Sequence, residues 1–131
     1  MSSQSINSGD VPKSDLPFSP ALWAGPFLFV SGQASVDNQG KIVNDSFAEE
    51  MKRSFDNVRR ILEASGLSLA DVVQVRSYVA RQEDLAEYNR IYRTLFSPPY
   101  PARTTLIGCL GDILKFEVDV TAYRATDDRT Q

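Results

Sequence analysis

At 131 residues, 42% apolar and 24% charged, the chain has the make-up of one globular domain with a core of its own. Its net charge of -3 offers no basic field for nucleic acid or an anionic membrane. It holds no histidine and one cysteine, which excludes Ser-His-Asp and Cys-His catalysis, histidine-ligated metal and a thiolate cluster. Any chemistry must use carboxylates, arginines, hydroxyls, backbone groups or water.

Met1 to Asp15 is polar, rich in Ser, Asn and Asp, and reads as a loose segment ending in a short strand. It has no apolar segment of the signal-peptide kind, and no stretch of the chain approaches the roughly 20 apolar residues needed to span a bilayer. The lone Cys109 cannot form an internal disulfide and fits a reducing, cytoplasmic setting. Phe18 to Ala24 is an irregular apolar stretch broken by Pro20, and Gly25-Pro26 is a turn signal. Phe27 to Val30 is apolar on both faces and predicts a central strand running into Ser31-Gly32-Gln33-Ala34. Gly32 in that strand marks either a bulge or the close approach of a backbone or ligand. Asp37 to Gly40 predicts a tight turn between two extended pieces.

Ser46-x-x-Glu49 has the form of a capping box and opens the clearest helix. Phe47, Met51, Phe55, Val58 and Leu62 give its apolar stripe, widened by Ile61. Glu50, Lys52, Arg53, Asp56, Arg59 and Arg60 are expected to face water, and Gly66 to end the helix in a left-handed cap. After the short capped turn Ser68 to Asp71, the Val- and Tyr-rich run Val72 to Ala80 predicts a strand. A second helix is expected from Glu83 to Phe96, with Leu85, Tyr88, Tyr92 and Leu95 inward and Asn89 at the edge of that stripe.

Ser97-Pro98-Pro99-Tyr100 is a stiff connector into Pro101-Ala102-Arg103-Thr104-Thr105. Proline cannot donate to a sheet ladder, so Pro101 belongs before a strand. Arg103 stands at the mouth of the run Thr104 to Cys109 and reads in two ways: a surface arginine, or a planar fork suited to a small carboxylate. Cys109, at the end of this run, is expected to be buried, inert packing. A turn around Gly111-Asp112 leads to Leu114 to Tyr123, where strict alternation sets Phe116, Val118, Val120 and Ala122 on one face and Glu117 and Asp119 on the other. Residues 127–131 read as a frayed tail.

The order of elements predicts a single α+β domain over residues 1–131, a mixed sheet with two helices packed on one face. The uncovered face, carrying Glu117 and Asp119, is expected to meet another subunit.

Five segments, Phe29-Val30-Ser31-Gly32-Gln33, Leu69 to Val75, Tyr88-Asn89-x-x-Tyr92, Pro101-Ala102-Arg103-Thr104 and Phe116-Glu117-Val118-Asp119, resemble the Rid (reactive intermediate deaminase, YjgF-type) family, also described as endoribonuclease L-PSP-like, from about Phe18 to Ala125. The resemblance implies a chorismate-mutase-like fold and a homotrimer with clefts between subunits. It implies hydrolysis of 2-imino or 2-enamino acids to 2-oxo acids and ammonia, without cofactor or metal. In that frame Arg103 binds the substrate carboxylate and Glu117 positions or activates water, with Asp119 as the second acid. Asn89, Ser31, Gly32, Phe18 and Thr105 are expected around the substrate. Two departures stand out. Phe18 replaces the tyrosine of many members, which removes a phenol contact. The turn Leu110-Gly111-Asp112 lacks the usual Leu-Pro and is one residue short, which alters the cleft. These departures leave room for a dedicated deaminase of the aminomuconate or aminoacrylate type, and beside it for a non-catalytic trimer that binds small carboxylates or acts as a chaperone. The chemistry needs no histidine: an imine is already electrophilic, so the task is to fix it and to hold water against it, with a carboxylate of raised pKa as base.

Overall fold

The computed structural model describes residues 4–6 and 14–125; the expectations for residues 1–3, 7–13 and 127–131 lie outside the described residues. Six strands and two helices follow one another as β1 (Gln4–Ile6), β2 (Ala21–Ala24), β3 (Phe27–Ala34), α1 (Phe47–Ala64), β4 (Val72–Val79), α2 (Leu85–Leu95), β5 (Ala102–Ile107) and β6 (Phe116–Tyr123). They form one sheet in the order β1-β2-β3-β6-β4-β5. β4 and β5 pair in parallel; the other neighbours are antiparallel.

The stretch that reads as irregular at Phe18 to Ala24 supplies β2. Ala24 pairs with Phe27 across the two-residue loop Gly25-Pro26, and Gly25 adopts φ 58, a conformation glycine takes without steric cost. The turn around Gly111-Asp112 does not join neighbouring strands. β6 crosses from the edge beside β5 to the centre, between β3 and β4. It pairs along its length with two earlier strands joined by a helical crossover, β3-α1-β4.

α1 begins at Ser46, whose hydroxyl accepts from the Glu49 amide at 3.2 Å. The reciprocal half of the box is not formed: Asp45 takes the Ser46 amide at 2.9 Å instead, and Glu49 turns to Lys52 at 3.7 Å. Gly66, φ 79, ends the helix, with the Leu67 amide on the Leu62 carbonyl at 2.8 Å. The full capping box occurs at Ser68 and Asp71 instead. The second helix opens as a 3-10 turn, Gln82–Asp84, before α2 proper.

Phe116 shows why both helices share a face. Its ring, fully buried, packs against Phe47 and Phe55 of α1 and Tyr88 of α2, with centroids 5.8 to 6.0 Å apart. A buried ring of this size contributes roughly 2–3 kcal/mol by area removed from water. Phe116, Val118, Val120 and Ala122 of β6 are buried; Glu117, Asp119, Thr121 and Tyr123 point the other way. That other face carries exposed Leu22, Phe27, Phe29 and Leu106.

One expectation for α1 fails. Glu50 does not face water; it is 0% exposed. Its carboxylate accepts from the amides of Lys115 and Asp45, each at 3.0 Å, and from Lys115 Nζ at 3.2 Å, so it ties the helix to the entry of β6. Cys109 also differs: it lies beyond the end of β5 and is exposed, because Gly108, φ 82, turns the chain out of the sheet.

Candidate functional site

Arg103 is the second residue of β5 and lies level with Val75 of β4. Neighbours in register share a face, so Arg103 and Thr105 stand on the helix side with Val75 and Ser77. There the guanidinium donates to Asn89 Oδ1 of α2 at 2.9 Å and lies over the rings of Tyr88 and Tyr92, 4.9 and 4.8 Å from their centroids. Thr105 is engaged behind it. Its hydroxyl lies 3.1 Å from the Tyr88 hydroxyl, which also bonds Ser77 at 2.7 Å.

An open cleft of about 220 Å³ lies beside this cluster, lined by Asn89, Tyr92, Arg93, Tyr100, Pro101 and Arg103. Burial pushes the Tyr92 phenol up to about 12, and its hydroxyl has no hydrogen-bond partner among the described residues. Tyr92, Arg93 and Tyr100 complete the wall beside the residues that the sequence nominated. Tyr92 and Tyr100 were hidden because aromatics at helical spacing and beside prolines read as packing.

Glu117 belongs to the opposite face. It pairs in register with Tyr78 of β4 and Ala34 of β3. The ladder between β3 and β6 slips between Val30 and Gln33, so Ser31 and Gly32 form a bulge. A Cβ on Gly32 would stand 2.5 Å from Glu117 Oε2. The glycine leaves room for that carboxylate, so of the two readings of the sequence the bulge is the one formed, and what approaches Gly32 is a side chain rather than a backbone or a ligand. Half-burial first, then the neighbouring Asp119, hold the Glu117 carboxyl above the usual glutamate range. Asp119 itself is committed: it accepts from Arg76 Nε and from the Tyr78 hydroxyl, both at 2.8 Å. Ser31 is tied to the segment that precedes β2, its hydroxyl on the Ser19 carbonyl at 2.6 Å and its amide on the Pro20 carbonyl at 2.9 Å. Phe18, the residue before, is exposed.

The nominated residues therefore form two half-sites within one chain. Arg103, Asn89 and Thr105 lie on the helix side at the β5 edge. Glu117, Asp119, Ser31 and Gly32 lie on the open side, with Phe18 leading into β2. Arg103 and Glu117 are two strands and three residues apart, roughly 14 Å by sheet spacings. Glu117 does not line the cleft beside Arg103.

A larger recess of about 320 Å³ lies against α1. Its charges are matched internally: Arg53 meets Asp45 at 3.2 Å and Ser35 at 2.9 Å, Arg60 meets Asn38 at 3.0 Å, and Asp37 takes the amides of Gln39 and Lys41.

The fold is that of a chorismate-mutase-like α+β protein of the YjgF/Rid type. The sequence profile of the family described as Endoribonuclease L-PSP matches residues 8–124, and the chain belongs to that YjgF/RutC/Rid family. A RutC family protein of Pyrococcus horikoshii is 34% identical over 91% of this chain and 96% of its own. A 2-iminobutanoate/2-iminopropanoate deaminase of Dermatophagoides farinae is 30% identical over 69% of this chain and 71% of its own. The crystal structure of E. coli TdcF with bound serine superposes with a TM-score of 0.82 at 27% identity, covering 93% of this chain and 99% of that one. No helix among the described residues is long and apolar enough to cross a membrane.

Proposed function

We propose that this protein hydrolyses 2-imino or 2-enamino acids to 2-oxo acids and ammonia without a cofactor. The observation that carries this reading is the pairing of two unspent groups. Arg103 is a guanidinium held by Asn89 and two rings with no carboxylate on it, and Glu117 is a half-buried carboxylate with no hydrogen bond among the described residues. Family membership, the deaminase relative and the serine held by TdcF support a small amino-acid-like ligand.

In this reading Arg103 takes the substrate carboxylate as a two-pronged fork. Glu117 orients a water and accepts its proton as the oxygen adds to the imine carbon; the imine nitrogen takes up a proton to give a carbinolamine. The C–N bond then breaks as Glu117 returns its proton to the nitrogen and the hydroxyl gives up its own proton to water, so that ammonia leaves and the 2-oxo acid remains. Because the two half-sites lie on opposite faces of one sheet, the working cleft forms between copies of the chain, in a homotrimer. The exposed apolar residues Leu22, Phe27, Phe29 and Leu106 on the open face suit such contacts. The short turn at Leu110–Asp112 and Phe18 shape which imine is preferred.

Freshly generated 2-aminoacrylate, or an imine made by an amino-acid oxidase, is the test. The protein is expected to release ammonia and suppress the semicarbazide adduct. An undiminished adduct with a folded trimer would leave a small-carboxylate binder in place of the enzyme. A monomer by sedimentation at micromolar concentration would remove the composite cleft.

A further inference from the structure

We infer that the cleft beside Arg103 selects dianionic substrates, with Arg93 holding the distal carboxylate of a 2-imino diacid. The inference rests on the deaminase reading for the fate of the ligand, but the recognition stands on the cleft itself. Of its six lining residues two are arginines and none is acidic. The chain as a whole carries 17 acidic against 14 basic side chains, so this wall runs against its balance. The recess against α1 makes the contrast: its Lys52 and Arg53 each meet a carboxylate on the spot.

Arg93 has no ion pair among the described residues; the pair on α2 is Glu87 with Arg90, at 3.3 Å. Its place in the last helical turn is favourable because the helix end is negative. Arg93 follows Asn89 by four residues, so it stands one turn further along the same side of α2, about 6 Å on. Asn89 is the residue that grips Arg103. Arg93 thus stands one helical turn from the residue that holds the Arg103 guanidinium, and both arginines line the same cleft. Two cations in one cleft suit the two carboxylates of a four- or five-carbon diacid. The exposed Tyr100 phenol in the same wall is a further donor for carboxylate oxygens. A monocarboxylate would use Arg103 and leave Arg93 to water.

Stable oxo acids test this without turnover. By calorimetry the wild-type protein is expected to bind 2-oxoglutarate about fivefold more tightly than 2-oxobutanoate, the order set by one solvent-accessible ion pair. In Arg93→Ala that ratio should fall to about one, in Arg93→Glu below one, and in Arg93→Lys it should be kept in part. A wild-type ratio near one overturns the inference. So does a ratio that Arg93→Ala leaves unchanged, and so does no detectable binding of either acid at millimolar concentration. Ammonia release from 2-aminoacrylate is measured separately. If it persists while the ratio fails, the deaminase stands and the diacid preference falls; if it fails while the ratio holds, the reverse applies.

Discussion

Glu50 and Glu117 are both withdrawn from water, yet the regions around them use a carboxylate in different ways. Glu50 lies under α1 with both oxygens engaged by two amides and an ammonium, and the elements it joins are fixed by it. Glu117 lies on the open face against a glycine, with no donor among the described residues and a like charge nearby. A satisfied buried charge specifies geometry; an unsatisfied one stores reactivity. The same contrast separates the recess on α1, where Lys52 and Arg53 meet carboxylates, from the cleft at Arg103, which is lined by two arginines and no acid.

The strongest way to break this comparison is at Arg103. If the guanidinium pairs with a substrate carboxylate in a closed cleft, Arg103→Ala leaves that carboxylate unpaired, at roughly 2–5 kcal/mol. The expected loss in kcat/KM is roughly thirty- to several-thousandfold, read by ammonia release, with Arg103→Lys a partial rescue. Glu117→Gln comes next, with turnover expected to fall about a hundredfold or more. Since the folded carboxyl titrates above the ordinary value of about 4.3, activity should fall on acidification at a pH above that value, and the amide variant should lack this limb. The sign for stability is opposite: a raised carboxyl pKa favours the fold at low pH and disfavours it once ionised, so Glu117→Gln should melt slightly higher than wild type at neutral pH. Gly32→Ala sharpens the same point. The Cβ meets only the mobile end of a side chain, so the fold should hold, but the displaced carboxylate should lower kcat by about tenfold to a hundredfold.

Glu50→Ala tests the other region. It leaves the amides of Asp45 and Lys115 without their acceptor and should cost about 3 kcal/mol in a denaturant melt, somewhat less than a fully buried pair because Lys115 Nζ reaches water. Cys109→Ser should be the quietest change, within about 0.5 kcal/mol and with deamination intact, since the thiol is exposed beyond the strand. A larger loss would show that Cys109 lies in a contact between copies.

The sequence made the alternating β6, the α1 stripe and Gly66 legible because each rests on local periodicity or one backbone preference. At Gly32 it offered a bulge or a close approach by backbone or ligand; the bulge formed, and the group that crowds it is the Glu117 side chain. It failed at Glu50, where the period of α1 sets the residue beside Met51 and only the chain passing at Lys115, 65 residues on, gives the carboxylate partners. It failed at Cys109 because the extent of β5 depends on pairing with Val79, after which Gly108 turns away. β2 was missed because Pro20 and four residues carry little pattern, and its existence depends on β3. For the site, Arg103 and Asn89 were readable from residue type and place, whereas their separation from Glu117 by face required the sheet order.

The position of β6 bears on how the protein comes off the ribosome. The strand at the centre of the sheet is the last to be synthesised, and until residues 116–123 emerge, β3 and β4 have no partner on their inner edges. The nascent chain therefore carries two open strand edges and an uncovered α1 stripe for nearly its whole synthesis, a state that invites chaperone attention and pairing between neighbours on a polysome. Premature stops are correspondingly severe: a chain ending anywhere before Phe116 lacks the ring that joins both helices and the strand that joins both halves of the sheet, so it has no route to this fold.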